Sequence, residues 1–370
     1  MIATEVAVRV SQESLLDALS RVMVACKPSK DFMLTQIRLT FSGERITFDA
    51  TNHILWSHTV LAAEITGEAP IKGFCVSGQA FYDTVKSFKK STGIGLAFDE
   101  AGGTLTVLSG KSKLCLDVTF DDIVTLEGTY ETREFQSEVD RENLISAINY
   151  VKCFTNPASD IPSHRIVHER FGTMIAGSDM QIGMCVRDDN IGNFCCAPDS
   201  LNALVAFLRA VKSDSVTIDE TQSLYFISDA DSYLGFRKVE SKFPSVEGSL
   251  LDVTKNPIGF SAQLNRENFA QSVKRLMIGM GEDTTLNVKY FENALLIEYV
   301  NRRASVSREQ VDLVDADREF KDFSLSAKSL LNTLEALQGD MVQFSTAENF
   351  LKISEQADFA EFIAILAYRR

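Results

Sequence analysis

The apolar and polar positions of this chain divide it into helices that begin alike and strands that follow them in a recurring order. Three stretches read almost the same: Val10-Ser-Gln-Glu-Ser-Leu15, Val139-Asp-Arg-Glu-Asn-Leu144 and Leu264-Asn-Arg-Glu-Asn-Phe269. In each, Ser11, Asp140 or Asn265 offers a side-chain oxygen to the free N–H groups of a first helical turn. Glu13, Glu142 and Glu267 then place negative charge at the positive end of the helix dipole. Apolar residues at 15, 16, 19, 22 and 23 predict an amphipathic helix from Ser11 to about Ala25. A second helix start also recurs, as Ser77-Gly-Gln-Ala-Phe81, Ala197-Pro-Asp-Ser-Leu201 and Ser326-Ala-Lys-Ser-Leu330.

Strand-like runs fill the space between. In the first third they are 4–10, 36–41, 46–49 and 54–63, then a meander of 95–98, 104–108 and 114–120. Turns are expected at Ala101-Gly-Gly and Ser109-Gly-Lys. The meander layout of 94–128 returns at 214–248 and again at 340–368. The first helix starts lie 129 and 125 residues apart. Such self-similarity is read before any single motif, and it predicts three domains, 1–128, 129–248 and 249–370, with boundaries near Gly128 and Gly248. Each holds two helices whose apolar stripes pack on antiparallel sheets, an α+β arrangement.

Charge changes the picture. The chain of 370 residues carries a net charge of −14, which by itself argues against nucleic acid. The six helical segments, however, hold 13 Lys/Arg against 8 Asp/Glu, so the rest of the chain is at −19. Eleven of these bases are the candidates to face DNA: Lys27, Lys86, Lys89, Lys90, Arg141, Lys152, Arg209, Lys212, Arg266, Lys274 and Arg275. Bases late in a helix complement its dipole. If the helices also share one side, they form a positive lining that suits phosphates rather than base edges.

Candidate chemistry adds little. The run His164-Arg-Ile-Val-His168 reads as strand, which separates the two imidazoles by roughly 13 Å, too far to share a metal ion. Ser109-Gly-Lys-Ser112 has Leu105 where a phosphate loop needs Gly, and a strand follows it. Cys195-Cys196 reads as strand core, and the seven cysteines show no paired spacing. No catalytic, metal or dinucleotide motif is found, so neither an enzyme nor a cofactor is expected. The N-terminus lacks a secretion-signal pattern and no run is apolar enough to span a bilayer, so a cytoplasmic protein without membrane contact is expected.

The ordered set of elements resembles the bacterial DNA sliding clamp, the β subunit of DNA polymerase III, along the whole length. Ser109-Gly-Lys-Ser-Lys-Leu-Cys-Leu116 resembles that family's S-G-R-S-R-F-S-L, and Lys242-Phe-Pro-Ser245 its R-F-P-D. The resemblance implies three similar clamp domains forming half of a ring, a head-to-tail homodimer around double-stranded DNA, bound without regard to sequence. It implies no chemistry, only the tethering of a replicative polymerase. It places Leu114 and Leu116 at the dimer interface, against Leu276, Met277 and Ile278 of a second copy. It places a pocket for short peptide motifs of polymerase and clamp loader at Gly177, Asp179, Met180, Gln181, Ile182, Pro244, Ala364, Leu366, Tyr368 and Arg369. There the chain departs from the family: Gly-Ser-Asp-Met-Gln-Ile stands for T-D-G-H-R-L, and the tail Ile-Leu-Ala-Tyr-Arg-Arg for V-M-P-M-R-L. A divergent clamp, of bacterial or phage origin and poor at binding the ordinary bacterial peptide, is the expectation. The alternative is a ring- or tube-forming protein of a phage particle, which would polymerise rather than stop at two copies.

Overall fold

Each long helix follows a strand directly or after one residue, and at four of these junctions the last strand residue caps the helix. The computed structural model describes residues 6–26, 29, 31–67, 73–90, 92–121, 123–170, 172–178, 180–189, 191–192, 194–239, 258–280, 284–300, 305–316, 318–347 and 349–369. Among them are helices α1 (Gln12–Val22), α2 (Gly78–Lys86), α3 (Glu127–Glu131), α4 (Arg141–Lys152), α5 (Pro198–Ala210), α6 (Arg266–Gly279) and α7 (Ala327–Ala336). Ser11 accepts the N–H of Ser14 at 3.0 Å, and Asn265 that of Asn268 at 2.9 Å. Ser77 and Ser326 cap α2 and α7 in the same way. The boundary residue Gly128 falls inside α3, a short helix that the periodicity does not reveal; Gly248 lies outside the described residues.

All the sheets are antiparallel in their described pairings. One has thirteen strands, one eight and one four. The chain divides into two compact units, Met1–Glu142 with Asp199–Lys238, and Asn143–Pro198 with Val239–Arg370. In the first unit the thirteen-stranded sheet joins two thirds of the chain where Ser232–Arg237 pairs with Leu55–Ala62, Leu234 opposite Ser57. Its core is aromatic: Phe74 stacks on Phe98 at 4.1 Å, while Phe48 and Phe81 are fully buried. Tyr130 of α3 stacks on Tyr233 at 4.1 Å and closes a cluster with Trp56 and Phe226. In the second unit the eight-stranded sheet makes an analogous junction, Gln181–Arg187 with Ala360–Ala367, Met184 opposite Ile363. Phe260, Phe269, Phe323 and Phe344 fill the space under it and the four-stranded sheet.

One contact repeats three times. The residue just after the cap of α1, α4 and α6 sends its side chain to the last carbonyls of the companion helix. Gln12 Nε2 donates to Val85 O at 3.1 Å, Arg141 Nη1 to Leu208 O at 3.2 Å and Arg266 Nη1 to Leu334 O at 3.2 Å. The backbone N–H of the same residues bonds to Thr92, Asp214 and Asp340. Each tie adds a bond to a helix-end carbonyl, of which that of Val85 also accepts the N–H of Phe88.

The second unit also buries charge. Glu169 has a fully enclosed side chain 3.2 Å from Arg187, which pairs in turn with Asp189 at 2.8 Å. Burial pushes Glu169 up to about 7 even though Arg187 pulls it down, and burial pushes neighbouring His168 down to about 4. The two act in opposite directions on stability. Glu169 contributes stability that is full below its ordinary value of 4.5 and is lost as pH rises through about 7. His168 contributes stability present above its ordinary 6.5 and lost as pH falls toward about 4. The unfolding free energy of wild type minus that of Glu169→Gln should therefore fall by about 3 kcal/mol between about pH 4.5 and 8. Urea titrations at several pH values measure it; a flat difference would show that Glu169 titrates normally.

Candidate functional site

The helical bases divide by what holds them. Lys86, Lys89, Lys90 and Arg209 are exposed and carry no ion pair among the described residues; Lys86 lies over the Tyr82 ring at 5.6 Å. Lys152 is half-buried at the end of α4. Lys212 pairs with Asp17, Lys274 with Glu335 at 2.8 Å, and Arg275 with Glu309 at 2.6 Å. Arg141 and Arg266 have other work: their side chains are 17% and 18% exposed, and both tie helix pairs, as described above. Sequence reading grouped all of these as one cationic set because helical position does not reveal a partner brought from far along the chain. Lys27 lies outside the described residues.

A second feature is an open sheet edge. Ser109 pairs with Ser112 across a two-residue turn, where Gly110 adopts the left-handed φ of 59° that such turns require. The strand Ser112–Thr119 then pairs on one side with Thr104–Ser109, and on the other only through Val118 and Thr119. Its segment 112–116 is left with an unpaired edge among the described residues, on which Leu114 is 42% exposed and Leu116 half-buried. Of the expected partners on α6, Ile278 is 86% exposed, Met277 half-buried, and Leu276 is core at 3%. Beside α6 runs Val306–Asp312, the outermost strand of the four-stranded sheet, held to it by the Arg275–Glu309 pair. The sequence gives no hint of this second edge, open among the described residues, because edge position is a property of the assembled sheet.

The third feature is a cleft of about 230 Å³ in the second unit, lined by Met180, Thr285, Leu325, Leu366, Tyr368 and Arg369, with the hydroxyls of Ser324, Ser326 and Ser329. Four of these, Met180, Leu366, Tyr368 and Arg369, are expected pocket residues that the fold brings together. The tail is fixed there by reciprocal bonds between Ser324 and Arg369, of 2.7 and 2.9 Å. Tyr368 stacks on Phe323 at 4.3 Å and its hydroxyl donates to Ala347 O. The other expected residues lie elsewhere. Ile182 turns to the core with Ile365 and Phe350, as strand alternation dictates, whereas Ala364 shares the face of Leu366 but is fully buried and does not line the cleft. Gln181 and Gly177 are half-buried beside the cleft strand, and a Cβ on Gly177 would run into the backbone of Gln181 and Ile182. Asp179 and Pro244, like the Lys242–Ser245 run, are outside the described residues. Periodicity marks Ser326 as a helix cap but cannot show that Ser324, Ser329 and Thr285 share a cleft with the tail.

The histidines do not meet at a metal. His164 sits in the turn Pro162–Arg165 rather than in a strand, 3.0 Å from Ser159, and His168 is buried beside Cys195. No group of three metal-ligating side chains occurs among the described residues.

Compared with solved structures, 99% of the chain superposes on 99% of a sliding clamp (DNA polymerase III subunit beta) from Pseudomonas aeruginosa, with a TM-score of 0.85 at 17% identity. It is similar to the DNA polymerase sliding clamp of Caulobacter crescentus, at TM-score 0.81 and 15% identity over 98% of this chain and 99% of that one. It is similar too to the DNA polymerase III beta subunit of Thermotoga maritima, at TM-score 0.83 and 15% identity over 99% of both chains. No family model and no curated protein matches the sequence. The chain thus has the α+β fold of the bacterial β sliding clamps from end to end.

The assignment of Arg266 to a helix tie has a measurable consequence. Arg266→Met should lower the unfolding free energy by about 2 kcal/mol, the scale of lost charge-assisted hydrogen bonds, whereas Lys89→Met should stay within about 0.5 kcal/mol of wild type. Urea midpoints at unchanged slope measure both.

Proposed function

We propose that this chain is the protomer of a DNA sliding clamp, two copies of which close head to tail into a ring around duplex DNA. The single observation that carries the reading is the likeness of fold to solved sliding clamps over 98–99% of this chain. In this reading the chain comprises three domains, 1–128, 129–248 and 249–370, and the ring six. The helices turn inward and the acidic sheets outward, so that a protein of net charge −14 meets phosphates only inside. Lys86, Lys89, Lys90 and Arg209 are the first-choice phosphate contacts, with half-buried Lys152 beside them and Lys212, Lys274 and Arg275 able to exchange acidic partners for phosphate. Such contacts are blind to sequence. The protein catalyses nothing; by enclosing DNA in the bacterial or infected-cell cytoplasm it keeps a polymerase on its template.

Ring closure falls to the two open edges. An unpaired strand edge is a template for another strand, and 112–116 of one copy would meet Val306–Asp312 of the next, with Leu114 against Ile278 and Met277. The cleft at Leu366 and Tyr368 would receive peptide segments of the polymerase and its loader.

Native mass spectrometry should find a dimer of twice 41.0 kDa that does not grow further, and Leu114→Glu should give monomers. On nicked circular DNA the loaded protein should survive salt that strips it from short duplex, and cutting the circle should release it. Open-ended polymers, or equal salt sensitivity on both DNAs, would overturn the clamp reading.

A further inference from the structure

The cleft is small and its lining is chemically lopsided. At about 230 Å³ it lies below the roughly 300–1,000 Å³ of pockets that take a whole drug-sized ligand, so it has room for about one large residue. One part of the lining is apolar, formed by Met180, Leu325, Leu366 and the Tyr368 ring. The wall is firm, since Tyr368 is held by its ring stack on Phe323 and its hydroxyl bond to Ala347. The rest of the lining is Ala367, the four hydroxyl-bearing residues Thr285, Ser324, Ser326 and Ser329, and Arg369. Arg369 is exposed, its backbone is locked to Ser324 on both sides, and its side chain has no acidic partner among the described residues. Among those residues the lining contains one cation and no carboxylate. Ser326 and Ser329 also place the cleft at the start of α7, whose first turn, unlike those of α1, α4, α5 and α6, holds no acid. The positive end of that helix is left without a counter-charge.

From this we infer that the cleft accepts the C-terminal residue of a partner polypeptide: a large apolar side chain, best an aromatic one, whose own main-chain carboxylate meets Arg369. The inference rests on the reading of the cleft as a peptide site. Size decides for the chain terminus. An internal acidic residue beside an internal apolar one would bring two side chains into space for one, whereas a terminal Phe carries both features on a single residue. Arg pairs with a carboxylate through two parallel N–H···O bonds, and terminal carboxylates are a recurring object of peptide recognition. The exposed thioether of Met180 and the Tyr368 ring favour an aromatic guest.

The test uses the full chain and three synthetic peptides titrated by NMR: acetyl-Gly-Ser-Gly-Ser-Phe with a free carboxylate, the same peptide as its amide, and an amidated version with Gly-Ser following the Phe. The free acid should bind at least tenfold more tightly than either amide. Arg369→Gln should reduce the acid to the level of the amide while leaving the amide unchanged, and Arg369→Lys should fall between; unchanged thermal midpoints establish that both variants are folded. Equal binding of acid and amides to wild type would overturn the terminal-carboxylate proposal and leave the cleft as a peptide site. Failure of all three to bind at millimolar concentration would overturn the proposal together with the peptide reading of the cleft.

Discussion

Two strand pairings hold this chain together as more than three repeats in a row. Ser232–Arg237 closes on Leu55–Ala62 in the first unit, and Gln181–Arg187 on Ala360–Ala367 in the second. Both use the middle third of the chain, and they give its two halves to different sheets. Backbone N–H and C=O groups that lose water must be paired, so these junctions extend the sheets to thirteen and eight strands where three isolated domains would each expose further edges. The second junction does more. Its strand begins at Gln181, beside Met180 of the cleft, and ends at Arg187, whose guanidinium faces buried Glu169. Those ends are roughly 20 Å apart at the usual strand rise. One strand therefore sets the position of the cleft and carries a charge pair that favours a defined register.

The helices obey a comparable economy. Their starts are so alike because each must do two things at once: cap itself, and reach the end of its companion. In the middle and last thirds the reaching residue is Arg, which binds two carbonyls; in the first it is Gln12, buried and limited to one. Charge-assisted bonds are the stronger kind, so the helix pair of the first third has the weaker tie. The same geometry shields most of Arg141 and Arg266 from solvent. A tally of helical bases thus overstates what any ligand could meet.

What was legible in the sequence follows from how local the cause is. Ser11, Asn265, Ser77 and Ser326 announce helices because a cap acts within three residues, and the hairpin at Gly110 because φ is fixed by that residue alone. The Leu114 strand was readable for the same reason. By contrast, α3 is too short for periodicity to show; its place comes from Tyr130 stacking on Tyr233, about a hundred residues away. The open edge at Val306–Asp312, the loss of Leu276 and Ile182 to the core, and the gathering of Thr285, Ser324 and Ser329 around the tail are decided by register between distant strands. A resemblance grouped Leu366 and Tyr368, which do line one cleft, but it could not say which neighbours share it.

The division among the cations bears on how such a protein could hold DNA. Among the described candidate bases, four are exposed without an ion pair and three more are paired with acids they would have to release. Each phosphate contact adds only a share of salt-dependent affinity, and every Lys or Arg that must first leave a Glu or Asp contributes less than a free one. A closed ring needs no more. A tether that slides must avoid both deep wells, which would stop it, and contact through its acidic outer surface, which would misplace it. Few free cations on the helices and −19 on the remainder of the chain meet the two conditions together. In the proposed ring, retention would come from topology, and the charges would decide only which side of the protein the DNA is on.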